Sequence, residues 1–130
     1  MKRLKHFSLI LFCIYIAAVV LLCLIRTDSI PELPKFILGV PLDKITHLVM
    51  FIPFPILGYM AFFPTGKESW RKFAVLGILC ILGAGFAFST ERLQSLTDYR
   101  SYEIADMMAD LIGIALGAIA EIIIISIRQR

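Results

Sequence analysis

The chain has 130 residues, 59% hydrophobic and 18% charged, with a formal net charge of +3 and a mean hydropathy of +0.87. Soluble domains run at roughly 45–50% apolar and about 25% charged, and small domains hide the least of their surface, so these proportions exclude a water-soluble globule. They also exclude a disordered chain, which is poor in aliphatics, and the short basic clusters beside apolar runs do not make a nucleic-acid surface. The expectation is an all-α integral membrane protein forming one domain, residues 1–130.

In chain order, the first span is predicted at about 7–25, an apolar run long enough at 1.5 Å per residue to cross a hydrocarbon core of about 30 Å. Lys2, Arg3 and Lys5 would suit the start of a signal peptide. The run exceeds the roughly 7–15 residues of a signal-peptide core and no small-x-small site follows, so a retained helix is expected. Residues 26–42 carry Pro31, Pro34 and Pro41, and the apolar Phe36-Ile37-Leu38 suits a segment lying along the membrane surface. The second span is predicted at about 44–63, kinked by Pro53 and Pro55. A short polar turn at 64–72 with an interfacial Trp70 precedes the third span at about 73–89, and the fourth follows at about 105–127. The fold expected is a bundle of four transmembrane helices, with the surface-lying segment between the first two. Cys13 and Cys23 would sit about 15 Å apart on one helix, too far to bridge, and with Cys80 they read as small apolar residues.

Lys and Arg set the expected orientation. Lys2, Arg3, Lys5, Lys67, Arg71, Lys72, Arg128 and Arg130 place eight basic residues at the termini and second loop. Arg26, Lys35, Lys44, Arg92 and Arg100 place five at the first and third loops. Both termini are therefore expected to be cytoplasmic, with the first and third loops outside.

That topology puts the unusual polar residues on one outer face. Asp43, Lys44 and His47 begin the second span, Glu91, Arg92 and Gln94 leave the third, and Arg100, Asp106 and Asp110 lead into the fourth. At 100° per residue, Asp43 and His47 lie about 40° apart, and Asp110, Gly113 and Gly117 all lie within about 40° of Asp106. The Gly-x-x-x-Gly stripe admits a close neighbour, so that side faces protein. A charge at the bilayer centre costs about 2.5–3.5 kcal/mol, which also turns Asp110 inward. Each residue has a plainer reading: Asp43 as a helix cap after Pro41, Lys44 snorkelling, His47 as a satisfied polar group, Glu91 and Arg92 as a solvated helix exit. Glu121 would reach the interface or pair with Arg128. The joint placement is what favours a site.

Three blocks of the sequence then resemble a known family. Asp43-Lys-x-x-His47-x-x-x-Phe51 followed by Leu57-Gly58, then Glu91-Arg-Leu-Gln94, then Arg100-Ser-Tyr-Glu-Ile-Ala-Asp106 followed by Gly113 and Gly117, are similar in order and spacing to the VanZ-like family. The resemblance runs from about Asp43 to Gly117. It departs at Asp110, where the family usually carries Asn, so this chain has an extra acid. The resemblance implies a small bacterial multi-pass protein of the plasma membrane, whose namesake is associated with resistance to the glycopeptide antibiotic teicoplanin. It brings no settled reaction with it.

Three functions stay open on the residues. Asp43, His47, Glu91, Gln94, Arg100, Asp106 and Asp110 could bind a cell-wall precursor or an envelope protein at the outer face. They could instead serve an enzyme acting on a lipid-linked or envelope substrate. There His47 would be the general acid or base, Glu91, Asp106 or Asp110 would orient it, and Arg100 would hold a phosphate or carboxylate. Proton-coupled transport is the third, and with only four spans it would need a homo-oligomer. Metalloprotease, hydrolase, phosphate-loop, dinucleotide and Cys-x-x-Cys motifs are absent. Asp106-x-x-x-Asp110 is faintly similar to the metal-binding acids of CDP-alcohol phosphotransferases, but the rest of that motif is missing. No cofactor or metal is predicted, and with one His among several acids any ion would be hard, such as Mg²⁺ or Mn²⁺.

Overall fold

The computed structural model describes residues 2–25, 33–63, 68–98 and 101–129. Its elements are α1 (Lys2–Leu24), β1 (Phe36–Ile37), β2 (Val40–Pro41), α2 (Leu42–Phe51), α3 (Pro53–Phe62), α4 (Ser69–Ser95) and α5 (Ile104–Arg128). Four helical stretches are long and apolar enough to cross a membrane: α1, the combined Leu42–Phe62, α4 and α5. The second of these divides at Ile52, which keeps helical φ/ψ of −55° and −44°. Pro53 and Pro55 lack the N–H groups that would continue the ladder to Val49 and Phe51, so the hydrogen bonding is interrupted at the point where the two helices are assigned apart.

Two helices are longer than their apolar runs. α1 starts at Lys2 and takes in the basic residues before the run. α4 begins at Ser69 and continues past residue 89 to Ser95. Nothing in Thr90-Glu91-Arg92-Leu93-Gln94 breaks a helix, and Glu91 and Gln94 find partners on neighbouring elements that hydropathy does not register. The segment between the first two spans ends in a small antiparallel hairpin, with Ile37 opposite Val40. Its turn residues Leu38 and Gly39 both have positive φ, 51° and 80°, as the tight turn favoured by twisted strands requires. Residues 26–32 and 64–67 of the two loops, and Arg100, lie outside the described residues.

Packing follows side-chain size. Lipid is as apolar as leucine, so helices associate through close fit and polar contacts and not through the hydrophobic effect. A Cβ at Gly113 would stand 2.3 Å from the carbonyl oxygen of Leu48, and one at Gly117 would stand 2.1 Å from that of Ile52. α5 therefore lies directly on the backbone of the second span. Phe12, Phe54, Phe86 and Phe51 form a run of aromatic contacts with ring centroids 5.5, 5.8 and 5.7 Å apart. Tyr15 of α1 donates its hydroxyl to the carbonyl of Met50, 2.6 Å away, just before the proline break. Ile14, Leu21, Ile78, Ile81 and Ile123 remain exposed on the outer faces, where a bilayer would cover them. All three cysteines are free thiols.

Candidate functional site

One end of the bundle is formed by the C-terminal ends of α1 and α4 and the N-terminal ends of α2 and α5. Helical spacing puts Asp43, Lys44 and His47 on the first two turns of α2, and Asp106 and Asp110 one turn apart on α5. The close approach at Gly113 then brings the two sets face to face.

His47 is 3% exposed and Asp110 is fully buried. His47 Nδ1 lies 2.8 Å from Asp110 Oδ1. With Asp110 ionised and His47 neutral, Nδ1 donates this bond and Nε2 is the nitrogen that carries the lone pair. Nε2 stands 3.8 Å from Asp106 Oδ2, too far for a hydrogen bond. Lys44 sits where three carboxylates meet. Its ammonium bonds Asp43 at 3.0 Å and also Glu103 and Asp106. Its side chain is only 20% exposed, so it does not reach away to the interface as snorkelling would have it. Asp43 likewise spends its carboxylate on Lys44, and α2 has no side-chain cap hydrogen bond.

Glu91 and Gln94 are each 1% exposed, inside α4 and not on a solvated exit. Glu91 Oε1 accepts the backbone N–H of Glu103 at 2.8 Å, which ties α4 to the start of α5. Gln94 donates to the carbonyl of Cys23 at 3.0 Å, which ties α4 to the end of α1. Arg92 points outward, with its guanidinium 5.3 Å from the ring of Phe88 and 5.2 Å from that of Tyr102. Among the described residues, Glu91 Oε2, Gln94 Oε1 and Asp110 Oδ2 are buried without a hydrogen-bond partner. Native structures leave few such atoms.

The structure thus gathers Asp43, His47, Glu91, Asp106 and Asp110 at one end, and Gln94 braces that end against α1. Arg100, the residue expected to hold an anion, lies outside the described residues. Two participants were not singled out for chemistry in the sequence, Lys44 and Glu103. Glu103 precedes Asp106 by three residues and so shares its helical side, a signal that could have found it. Glu121 belongs elsewhere. It is 2% exposed and within electrostatic reach of Tyr59 and Arg128, so it does not extend to the interface.

Beside the cluster, between α1 and α2, runs an apolar groove of about 440 Å³. Leu22, Val19 and Tyr15 line it on one side, and Ile45, Thr46 and Val49 line it on the other. Ile45 and Thr46 immediately precede His47, so the groove and the polar cluster share one helix.

Four membrane-spanning helices enclosing an ion-paired polar cluster define a multi-pass helical membrane protein with a polar site at one end. The VanZ/LLP1 family profile matches residues 9–125, and the chain belongs to that family. No curated protein and no solved structure matches it.

Proposed function

We propose that this VanZ-family chain works as a single domain in a bacterial plasma membrane, with both termini cytoplasmic. Its polar cluster then faces outward and binds a cell-envelope component. One observation carries the reading: beside the close packing at Gly113 and Gly117, four ionisable side chains, His47, Glu91, Asp106 and Asp110, are buried at one end of the bundle with the partly exposed Lys44 against them. Buried charges are costly and mark functional sites in membrane proteins by default. The groove of Tyr15, Val19 and Val49 supports an envelope component with an apolar tail, such as a lipid-linked cell-wall precursor.

The test uses a deletion strain carrying the wild-type gene or a variant in which Asp43, His47, Glu91 and Arg100 are all replaced by Ala. At equal membrane abundance, the variant should lose whatever tolerance to teicoplanin-type antibiotics, or other envelope phenotype, the wild type restores. Full restoration by the variant would sink the proposal.

A second reading has its own observation. The 2.8 Å contact between His47 and buried Asp110 orients an imidazole whose other nitrogen faces a carboxylate, which is how a general acid or base is positioned. Purified protein given lipid-linked precursors would then form product, and His47→Ala would abolish it. Binding without turnover would favour the first reading. Proton-coupled transport has no comparable support, and absence of pH-driven flux in proteoliposomes would dispose of it.

A further inference from the structure

We propose that His47, Glu91 and Asp106 form a divalent cation site, with Asp110 acting as the positioning residue behind His47. Each of the three offers one ligand atom, and these atoms all lie within 4.8 Å of one another. All three side chains are buried. They come from three different helices, α2, α4 and α5, so no local helical pattern accounts for their meeting.

An independent observation points to a ligand. Glu91 is 1% exposed, and its Oε2 has no hydrogen-bond partner. A carboxylate oxygen stripped of water and left unpaired is strongly disfavoured unless a cation or donor meets it. Asp110 Oδ2, fully buried, is unpartnered as well. The carboxylates of Glu91 and Asp106 are both near enough to act on Asp110 electrostatically. Lys44 bonds Asp106 and is shared with Asp43 and Glu103.

The geometry suits a metal better than a further hydrogen bond. Bonds of about 2.1 Å place neighbouring donors about 3.0 Å apart and opposite donors about 4.2 Å apart. The 3.8 Å between His47 Nε2 and Asp106 Oδ2 falls between these values, and the whole donor set lies within 4.8 Å, so the side chains need close only slightly around an ion. Each donor is also already oriented by a second group. Asp110 holds His47 by Nδ1, Lys44 holds Asp106 by Oδ1, and the Glu103 amide holds Glu91 by Oε1. An imidazole fixed by a carboxylate on its far nitrogen is the usual arrangement behind metal-bound histidine. One nitrogen with two or more carboxylate oxygens selects a hard ion such as Mn²⁺ or Mg²⁺. The site does not depend on which envelope component is bound, so it can stand or fall apart from the proposed function.

Mn²⁺ is the probe. Tag-free protein in detergent, stripped with a chelator, is titrated with Mn²⁺ and followed by electron paramagnetic resonance. The wild type should bind one ion per chain, and pulsed spectra should show nitrogen coupling that changes when histidine is labelled with ¹⁵N. Glu91→Gln should weaken binding at least tenfold, and Asp110→Asn should weaken it about 10–100-fold, the usual effect of removing a positioning partner. Glu121→Gln, at the other end of α5, should bind as the wild type does. Absence of stoichiometric binding, or Mn²⁺ without histidine nitrogen coupling, overturns the proposal without recourse to any variant. Equal affinity in a folded Glu91→Gln protein overturns it too.

Discussion

Gly117→Ala tests the packing that holds the cluster together. The added Cβ would lie 2.1 Å from the Ile52 carbonyl oxygen and 2.7 Å from Pro55 Cγ, whereas ordinary contact begins at 3.4 Å. Neither neighbour can swing aside, because one is backbone and the other is a proline ring at the break in the second span. α5 must therefore withdraw by about an ångström. Overpacking of this kind costs about 1–3 kcal/mol, and alanine's better helix propensity returns at most about 1 kcal/mol. Gly113→Ala meets the Leu48 carbonyl oxygen at 2.3 Å in the same way. Because Leu48 follows His47 and Gly113 lies one turn from Asp110, that substitution should also loosen the 2.8 Å contact between them. Unfolding in detergent by graded addition of a denaturing surfactant, followed by circular dichroism, reads both effects. Gly85 is the internal control, since a Cβ there meets nothing within 4 Å, and Gly85→Ala should be neutral or stabilising by up to about 1 kcal/mol. The reasoning is refuted if Gly117→Ala is as stable as Gly85→Ala.

Two further outcomes follow from contacts away from the glycines. Lys44→Met removes the ammonium shared by Asp43, Glu103 and Asp106, and should destabilise by about 2–3 kcal/mol in the same surfactant titration. That lies below the roughly 3–5 kcal/mol of a fully buried pair because Lys44 is 20% exposed; an unchanged midpoint would mean the cluster is not ion-paired. Leu38→Gly should stabilise the hairpin, since Leu38 holds a positive φ of 51° with a fully exposed side chain. The strain relieved is about 1 kcal/mol, and slower amide exchange at Val40 would register it, whereas faster exchange would contradict it.

Much of the architecture was legible in the sequence because it depends on local quantities. Hydropathy over a window locates four spans, and helical periodicity puts Asp106, Asp110, Gly113 and Gly117 on one side of α5, where all four are buried. The helix ends were less legible. Hydropathy stops at residue 89, but α4 carries on to Ser95 because Glu91 and Gln94 are paid for by the Glu103 amide and the Cys23 carbonyl. Lys44 read as a snorkelling residue for the same reason, since two of its three carboxylate partners, Glu103 and Asp106, lie at the start of α5, some sixty positions later.

By itself the sequence determined a membrane-spanning helical bundle, the inward side of α5, and the blocks that mark the VanZ/LLP1 family. Only the tertiary structure decided which polar residues meet. The pairing of His47 with Asp110, of Lys44 with Asp106, and of Glu91 with the start of α5 depends on how closely two helices approach. That distance is set by glycine surfaces pressed on a carbonyl backbone, a long-range fit that no periodicity along one helix encodes.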